Sequence, residues 1–351
     1  MLNSISPFKA NPRFIQADAI TDLSFVKWTS YLNGSNSNLF IVASHVSDFV
    51  DLYGFNKCGY VEKNNSPVKR LNRFQASATI SSLSDARNGI VAYGCNNGKY
   101  GLLEVKSKSN NGNLVSTEKI HSMGDTYISA VDLKDDSLFI GTQNGTLAAE
   151  NIKHHNSKRI LNKNGTPIKA IHASSTHICL VGHDSGSISL WDLRDRQENV
   201  LNYTAKKNYR SSCQNIGTIR TCHLKNDFVA IAGTSHGNVK FFDMRFLTQK
   251  YPDALKVSKK SITSVRFAEN SSNTALITCY EGYVEVKNDA LISLWFNDNE
   301  LDVPPWLKGN HYDKLQTSWS CQLKDLLALD TYEDKIVMGT NGGDLCFIIP
   351  P

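Results

Sequence analysis

The chain has 351 residues, of which 40% are hydrophobic and 20% charged, a balance that supports a sizeable core and excludes wholesale disorder. Its formal net charge of +5 is small and dispersed, which does not favour a nucleic-acid-binding protein. No apolar run approaches the roughly 20 residues of a membrane helix, and the first residues lack the features of a secretory signal. Eight cysteines without a CxxC pair indicate buried free thiols in a reducing compartment, the cytosol or the nucleus.

The predicted elements repeat one unit along the chain: a buried strand, a short turn ending in Gly, and a second strand. The unit is clearest at Leu180–Arg194 and Ile231–Arg245, two copies about 50 residues apart that both end in an aromatic-Asp-x-Arg sequence. A repeat of roughly 40–45 residues is typical of the four-stranded blades of a β-propeller. In chain order, the seven predicted units lie at 39–53, 90–105, 138–152, 180–194, 231–245, 275–286 and 335–348.

Most units are preceded by a further apolar or alternating run, which predicts the strand nearest the central channel of each blade. The first of these runs is Leu23–Trp28. Others are Ile128–Leu133, Ile168–His172, Ile219–Leu224 and Ile262–Phe267. No long segment holds a helical period, so we expect an all-β fold.

The two ends of the chain are predicted to meet. The seventh unit ends at Pro351 without an outermost strand, and an open ring would leave exposed sheet edges. The segment Arg13–Ala17 can supply the missing strand. We therefore expect residues 1–351 to form one domain, a seven-bladed propeller closed by an N-terminal strand near 13–17. Leu291–Phe296 is predicted as the outer strand of the sixth blade, followed by an insertion loop near 297–324.

These features resemble the WD40-repeat family. Trp191-Asp192 is the one intact signature dipeptide, and Phe242-Asp243 is a weakened copy. A narrower resemblance depends on the order of motifs along the chain: Phe14-Ile15, Trp28, two WD-x-R-like endings, a long insertion and a closing Leu329-Asp330. This order resembles that of the WD40 nucleoporins of the outer-ring, Y-shaped complex of the nuclear pore.

The nucleoporin resemblance implies a non-enzymatic scaffold subunit in nucleocytoplasmic transport, including mRNA transport, and in pore assembly. Its partner would be an α-helical solenoid scaffold nucleoporin of the Y complex. It implies a location at the nuclear envelope, in the nuclear pore complex, and at kinetochores in mitosis. We expect no direct contact with nucleic acid and no membrane insertion.

His183-Asp184 and Trp191-Asp192 could be mistaken for catalytic groups. In WD40 blades such residues form hydrogen bonds between neighbouring strands, which satisfies buried polar atoms. The resemblance therefore implies a structural role for His183, Asp184, Trp191, Asp192 and Asp243.

Arg194 and Arg245 are candidates for partner binding, because each follows the aspartate of its unit by two residues. Paired WD-x-R endings resemble the docking feature of WD40 substrate receptors of cullin–RING ubiquitin ligases, which is the alternative function. The structural alternative is a local salt bridge, for example between Arg194 and Asp192.

The predicted insertion carries three aromatic residues, Trp306, Tyr312 and Trp319. Paired prolines early in this segment exclude a central strand there. The aromatic side chains either pack on their own propeller or serve as anchors for a partner, since aromatic residues are enriched among interface hot spots.

Enzymatic motifs are missing from the sequence. There is no Gly-x-Ser-x-Gly elbow, phosphate-binding Gly-rich loop or HExxH helix. Histidines 154, 155, 172, 177 and 223 do not have metal-ligand spacing. We therefore expect no catalytic residues, no metal and no cofactor.

Overall fold

The computed structural model describes residues 13–16, 23–33, 36–45, 47–55, 68–86, 89–108, 111–116, 120–154, 158–163, 165–194, 201–203, 217–225, 229–244, 254–268, 274–287, 316–320, 325–333 and 335–348. Within these ranges no helix is long and apolar enough to span a bilayer. The strands are β1 Arg13–Gln16, β2 Leu23–Asn33, β3 Asn36–His45, β4 Phe49–Phe55, β5 Val68–Gln75, β6 Ile80–Leu83, β7 Ile90–Cys95, β8 Lys99–Lys108, β9 Asn111–Ser116, β10 His121–Ser122, β11 Ile128–Lys134, β12 Ser137–Thr142, β13 Leu147–Asn151, β14 Arg159–Asn162, β15 Ile168–Ala173, β16 Ile178–His183, β17 Ile188–Asp192, β18 Leu201–Tyr203, β19 Ile219–Lys225, β20 Val229–Thr234, β21 Asn238–Asp243, β22 Leu255–Lys256, β23 Ile262–Phe267, β24 Thr274–Cys279, β25 Gly282–Lys287, β26 Gln316–Ser320, β27 Leu326–Tyr332, β28 Lys335–Thr340 and β29 Asp344–Ile348.

These strands form antiparallel sheets, seven in the described part of the chain, and the all-β prediction is confirmed. Sheet 1 is β2–β5, sheet 2 is β6–β10, sheet 3 is β11–β14, sheet 4 is β15–β18, sheet 5 is β19–β22, sheet 6 is β23–β26, and sheet 7 is β27–β29 with β1. Sheet 2 has five strands, because β8 pairs with β10 near its start and with β9 over its remainder.

Most neighbouring sheets contact each other through their first strands. Strand β6 packs on β11, and the contacts continue through β15, β19, β23, β27 and β2. Sheets 1 and 2 meet through β3 with β6 and β2 with β8. In all seven sheets the pairing of the first and second strands shifts register after the first residue of the first strand. This shared irregularity gives the first strands equivalent positions.

The predicted strand–turn–strand units correspond to the second and third strands of the sheets. The turn after β12 ends at Gly145, whose φ is 79°, and the turn after β16 ends at Gly186, whose φ is 81°. Glycine tolerates this left-handed conformation without a steric penalty. The side-chain oxygen of Asn144 also accepts the backbone N–H of Thr146 at 3.1 Å, which is the turn chemistry expected of Asn-Gly.

Neighbouring sheets pack closely because a glycine in one faces an isoleucine in the next. A Cβ added to Gly94 would lie 2.5 Å from Cγ2 of Ile128, and one added to Gly141 would lie 2.5 Å from Cγ2 of Ile168. Gly182 and Ile219 have the same relationship. A larger residue at these glycines would push the sheets apart.

Hydroxyl groups join the same interfaces. The Ser129 hydroxyl on β11 donates to the carbonyl of Ile168 on β15 at 2.5 Å. Thr263 on β23 makes the equivalent bond to Leu326 on β27 at 2.8 Å. These bonds satisfy polar groups at the sheet boundaries.

The N-terminal strand pairs with the C-terminal one. Arg13 of β1 lies opposite Phe347, and Gln16 lies opposite Asp344, so β1 is the outer strand of sheet 7. The segment predicted for this position was 13–17.

The prediction for the outer strand of sheet 6 is wrong. Residues 291–296 lie outside the described residues, and the outer position belongs to β26, which pairs with β25. Trp319 is opposite Val284 in this pairing, so it belongs to a strand and not to an insertion loop extending to residue 324. Apolar content favours 291–296 for the outer position, but 316–320 takes it through pairing with β25.

Candidate functional site

A chain of hydrogen bonds runs through sheet 4. The indole N–H of Trp191 donates to Oγ of Ser189 at 2.9 Å, and Nε2 of His183 lies 2.9 Å from the same oxygen. Nδ1 of His183 lies 3.3 Å from the carbonyl oxygen of Thr166. Since a carbonyl only accepts, Nδ1 carries the hydrogen and Nε2 accepts the serine hydroxyl. Burial lowers the pKa of His183, which keeps this imidazole neutral at pH 7.

Asp184 and Asp192 lie nearer the surface than His183 and Trp191. Asp184 is half-exposed, and its carboxylate is 3.6 Å from Nζ of Lys169. Asp192 accepts two bonds from the Arg194 guanidinium, at 2.9 Å from Nε and 2.6 Å from the terminal nitrogen. These bonds lower the pKa of Asp192. Asp243 ends β21 and pairs through its backbone with Val229.

Two of the five predicted partner-binding residues lie in the described part of the chain. Arg194 is well exposed beyond the end of β17. Trp319 lies in the outer strand of sheet 6. Arg245, Trp306 and Tyr312 fall outside the described residues.

An ionic cluster that the sequence pattern did not predict lies between the first strands of different sheets. Asp85, just after β6, accepts a bond from the Arg266 guanidinium at 2.6 Å, and a second guanidinium nitrogen contacts its other oxygen. Lys27 of β2 donates to Asp85 at 2.5 Å. The two cations hold the pKa of Asp85 well below its usual value despite its burial. Arg266 also lies 3.7 Å from Asp330.

Asp132 of β11 joins three sheets through backbone groups. Its carboxylate accepts the N–H of Asp85 at 3.1 Å, of Leu133 at 3.0 Å and of Ala173 at 2.7 Å. Burial, with a further contribution from the charge of Asp85, raises the pKa of Asp132 to about 6.

Two histidines complete the cluster. The rings of His172 and His223 pack against each other in a tilted arrangement, with centroids 4.0 Å apart. Nδ1 of His172 accepts the backbone N–H of Leu224 at 3.1 Å. Among the described residues, Nδ1 of His223 has no hydrogen-bond partner. Burial, followed by the nearby His172, lowers the pKa of His223 well below its usual value.

Asp85, Asp132 and His172 lie close enough together to suggest a metal site, with possible ligand atoms all within 4.8 Å. Their bonding does not fit one. In a neutral imidazole whose Nδ1 accepts a bond, Nε2 carries the hydrogen and has no lone pair for a metal. Asp85 is already bonded to Lys27 and Arg266, whose charges would repel a cation. The cluster is an ionic network.

A sequence signal for this network exists once the first strands are aligned. Counted from the first residue of each first strand, the fifth position is polar in all seven sheets, and in sheet 2 this position falls just after β6. Asp85 lies at the sixth position, one later than the other charged residues of the network. The aligned residues are Lys27, Ser84, Asp132, His172, His223, Arg266 and Asp330.

Comparison with known proteins identifies the fold. A structure described as the crystal structure of the mitotic checkpoint complex matches with a TM-score of 0.69 and 12% identity, covering 100% of this chain and 98% of that one. The WD40 beta propeller domain of Doa1 matches with a TM-score of 0.62 and 10% identity, covering 96% of this chain and 95% of that one.

The fold is a β-propeller. The family model described as nucleolar protein 10-like, N-terminal domain, matches residues 137–295 of this propeller. A search of curated proteins finds no match.

Proposed function

We propose that the protein is a non-enzymatic scaffold subunit that acts by binding other proteins. Residues 1–351 form one domain, a seven-bladed ring that β1 closes. The pairing of β1 with β29 and the succession of first-strand contacts support this architecture. A ring without open blade edges is a rigid platform whose faces and loops are available to partners.

One observation carries the proposal: the buried side chains of His183 and Asp132 are engaged in structural hydrogen bonds, within one sheet and between sheets respectively. His183 is bonded to Ser189 and Thr166, and Asp132 receives three backbone N–H groups. Groups bonded in this way stiffen the blades and are not available as a catalytic base or nucleophile. The structural role predicted for the blade residues is part of this proposal.

The favoured assembly is the outer-ring, Y-shaped complex of the nuclear pore. The order of sequence motifs supports it through the resemblance to the forty-three-kilodalton WD40 nucleoporin. In this proposal an α-helical solenoid scaffold nucleoporin docks on the rim, and the protein is located at the nuclear envelope and, in mitosis, at kinetochores. Partner anchors on the propeller would be Arg194, Arg245, Trp306, Tyr312 and Trp319.

A nucleolar assembly is the second candidate. The match of residues 137–295 to the nucleolar protein 10-like domain favours it, because that match includes most of sheets 3–6. Both candidates require protein partners in the nucleus and differ in where the protein is found.

Affinity purification of the tagged full chain, combined with fluorescence imaging, separates these candidates. Copurified nucleoporins and a signal at the nuclear rim support the pore assembly. Nucleolar proteins and a nucleolar signal support the second candidate. Recovery of ubiquitin-ligase components without either set would reject both.

The ubiquitin-ligase alternative depends on the arginine pair. Arg194 is held by Asp192 in the structure, so an adaptor would have to compete with an existing ion pair. The variant with Arg194→Ala and Arg245→Ala should lose an adaptor that binds there. Unchanged copurification of ligase components in this variant would exclude docking through the pair.

A further inference from the structure

A cavity of about 140 Å³ lies between the first strands of the propeller. In six of these strands the third residue lines the cavity and is small: Ser82, Ala130, Ala170, Thr221, Ser264 and Ala328. Small side chains at the same position of successive blades leave open space where larger ones would meet. The cavity is a feature of the repeated blade pattern.

The ionic network fills one end of this cavity. Lys27, Asp85 and Arg266 line it at the fifth or sixth position of their strands. Asp85 is bonded to both cations, and Asp132, the second lining carboxylate, is bonded to backbone N–H groups. The carboxylates of this end are therefore already engaged.

The other end of the cavity carries two basic residues at an unusual position. The second residue of a first strand is a hydroxyl in Ser129 and Thr263, where it bonds to the next sheet. In the adjacent sheets 4 and 5 the same position is Lys169 and Arg220. Both line the cavity.

These two cations are incompletely neutralised. Arg220 is exposed, and across the described residues no ion pair or hydrogen bond involves its guanidinium. Lys169 is 3.6 Å from Asp184, a separation longer than a good hydrogen bond. Asp85 and Asp132 lie at the opposite end with Lys27 and Arg266, so Lys169 and Arg220 are the charged residues that line this end. The charge of this end therefore favours an anion.

Two hydroxyl groups provide further donors. Oγ of Ser82 accepts the backbone N–H of Val131 at 2.9 Å, and Oγ1 of Thr221 accepts that of Val265 at 3.4 Å. A hydroxyl that accepts through its oxygen still has one hydrogen to donate. Both residues line the cavity, so these hydrogens can be directed to a bound oxygen.

We propose that the cavity binds an oxyanion, a carboxylate or phosphate group, with Arg220 as its principal ligand. A guanidinium presents paired N–H groups that match two oxygens of such a group. Lys169 adds charge, and the hydroxyls of Ser82 and Thr221 donate to the remaining oxygen atoms. The cavity admits a group of a few heavy atoms and excludes a folded element.

The oxyanion has two possible sources, a free anion or an acidic side chain of a partner protein. The second source rests on the proposed scaffold function, whereas the site itself does not. If phosphate binds and purification recovers no partner, the scaffold proposal fails and the site stands.

The primary test is calorimetric titration with inorganic phosphate at pH 7 and constant ionic strength, using chloride for balance. We expect the wild-type chain to bind phosphate and Arg220→Gln to bind it roughly tenfold more weakly or worse, as loss of a charged hydrogen-bond pair implies. Thr221→Val, which removes one hydroxyl at similar volume, should weaken binding by a smaller factor. Arg70→Gln, at an exposed arginine on β5, is the matched control and should bind like wild type.

Absence of phosphate-specific binding in the wild type would overturn the proposal, as would unchanged binding by Arg220→Gln. Equal weakening in Arg70→Gln would also overturn it, because binding would then reflect overall charge. Thermal unfolding without phosphate checks that each variant is folded.

A second arm separates the sources. The blocked peptide acetyl-Gly-Glu-Gly-amide is added before the phosphate titration, with the Gln peptide as control. Competition by the Glu peptide alone supports a partner's acidic side chain as the ligand. Phosphate binding without such competition supports a free anion.

Discussion

Arg266 on β23 and Asp85 after β6 are 181 residues apart in sequence and form an ion pair with two hydrogen bonds. They belong to sheets 6 and 2. In the order in which neighbouring sheets contact each other, sheets 7 and 1 lie between these two sheets. Lys27 of sheet 1 bonds to the same carboxylate. One largely buried aspartate therefore joins three sheets, and the two that Arg266 and Asp85 belong to are not neighbours.

Removing this carboxylate should cost more than removing an exposed one. Asp85→Ala leaves Lys27 and Arg266 buried without their main partner, and we expect a loss of about 3–5 kcal/mol in the free energy of unfolding. Asp192→Ala, which removes the partner of the exposed Arg194, should cost under about 1 kcal/mol. Urea denaturation of the two variants measures both values. Similar losses would show that the buried pair does not hold the sheets together.

Acidification should destabilise the protein through His223. Its pKa is depressed in the folded state, so the unfolded chain binds more protons below its own pKa of about 6.5. The free energy of unfolding therefore falls as pH drops, by about 1.4 kcal/mol per pH unit for one such histidine. His223→Phe keeps a ring against His172 and should reduce the loss between pH 7 and 5.5.

Other groups of the cluster bear on this measurement. Asp132 has a raised pKa of about 6, so its protonation favours the folded state as pH falls and opposes the histidine effect. Asp85, whose pKa is lowered, and Arg266, whose pKa is raised, keep their charges over this range. His154→Gln, at an exposed loop position, is the control and should keep the wild-type slope. If the free energy of unfolding of His223→Phe falls with pH as steeply as that of the wild type, His223 is not the group responsible for the loss.

Adding a methyl group at Gly141 should force sheets 3 and 4 apart. The new Cβ would lie 2.5 Å from Cγ2 of Ile168, and we expect Gly141→Ala to cost about 1–3 kcal/mol. Gly342→Ala is the control, because the nearest atom to its Cβ is 3.6 Å away. Combining Gly141→Ala with Ile168→Ala should cost less than the sum of the single losses. Simple additivity, measured by urea denaturation, would contradict a direct clash.

Deleting β1 tests how the ring is closed. Removal of residues 1–17 leaves the edge of β29 unpaired, and we expect a loss of about 2–4 kcal/mol, with self-association at higher concentration. Removal of residues 1–11 keeps β1 and should leave both properties unchanged. Urea denaturation and light scattering provide the measurements. A synthetic peptide of residues 11–18 should restore stability to the longer deletion, and failure to do so would argue against pairing with β29.

The blade rhythm could be predicted from sequence because it depends on local signals. The turns at Gly145 and Gly186 combine a left-handed glycine with flanking apolar runs, and both flanking strands lie where these signals place them. The outer strand of sheet 6 could not be predicted in this way. Residues 316–320 contain one apolar side chain, Trp319, and their strand is defined by pairing with β25.

The ionic network was missed for a different reason. Each member is a single polar residue within or just after its first strand, such as Arg266 after Val265 or Asp330 after Leu329. In isolation each resembles an ordinary strand position that faces solvent. Only the packing of the first strands brings these residues together, and Asp85 lies one residue away from the position its equivalents occupy.

Pairing of β1 with β29 also affects how the chain matures after synthesis. The partner strands are separated by more than 300 residues, so β1 has no partner until β29 has been synthesised. Contacts this distant in sequence form slowly because a long loop must close first. During that interval the nascent protein exposes an unpaired strand, the kind of surface that chaperones protect from aggregation.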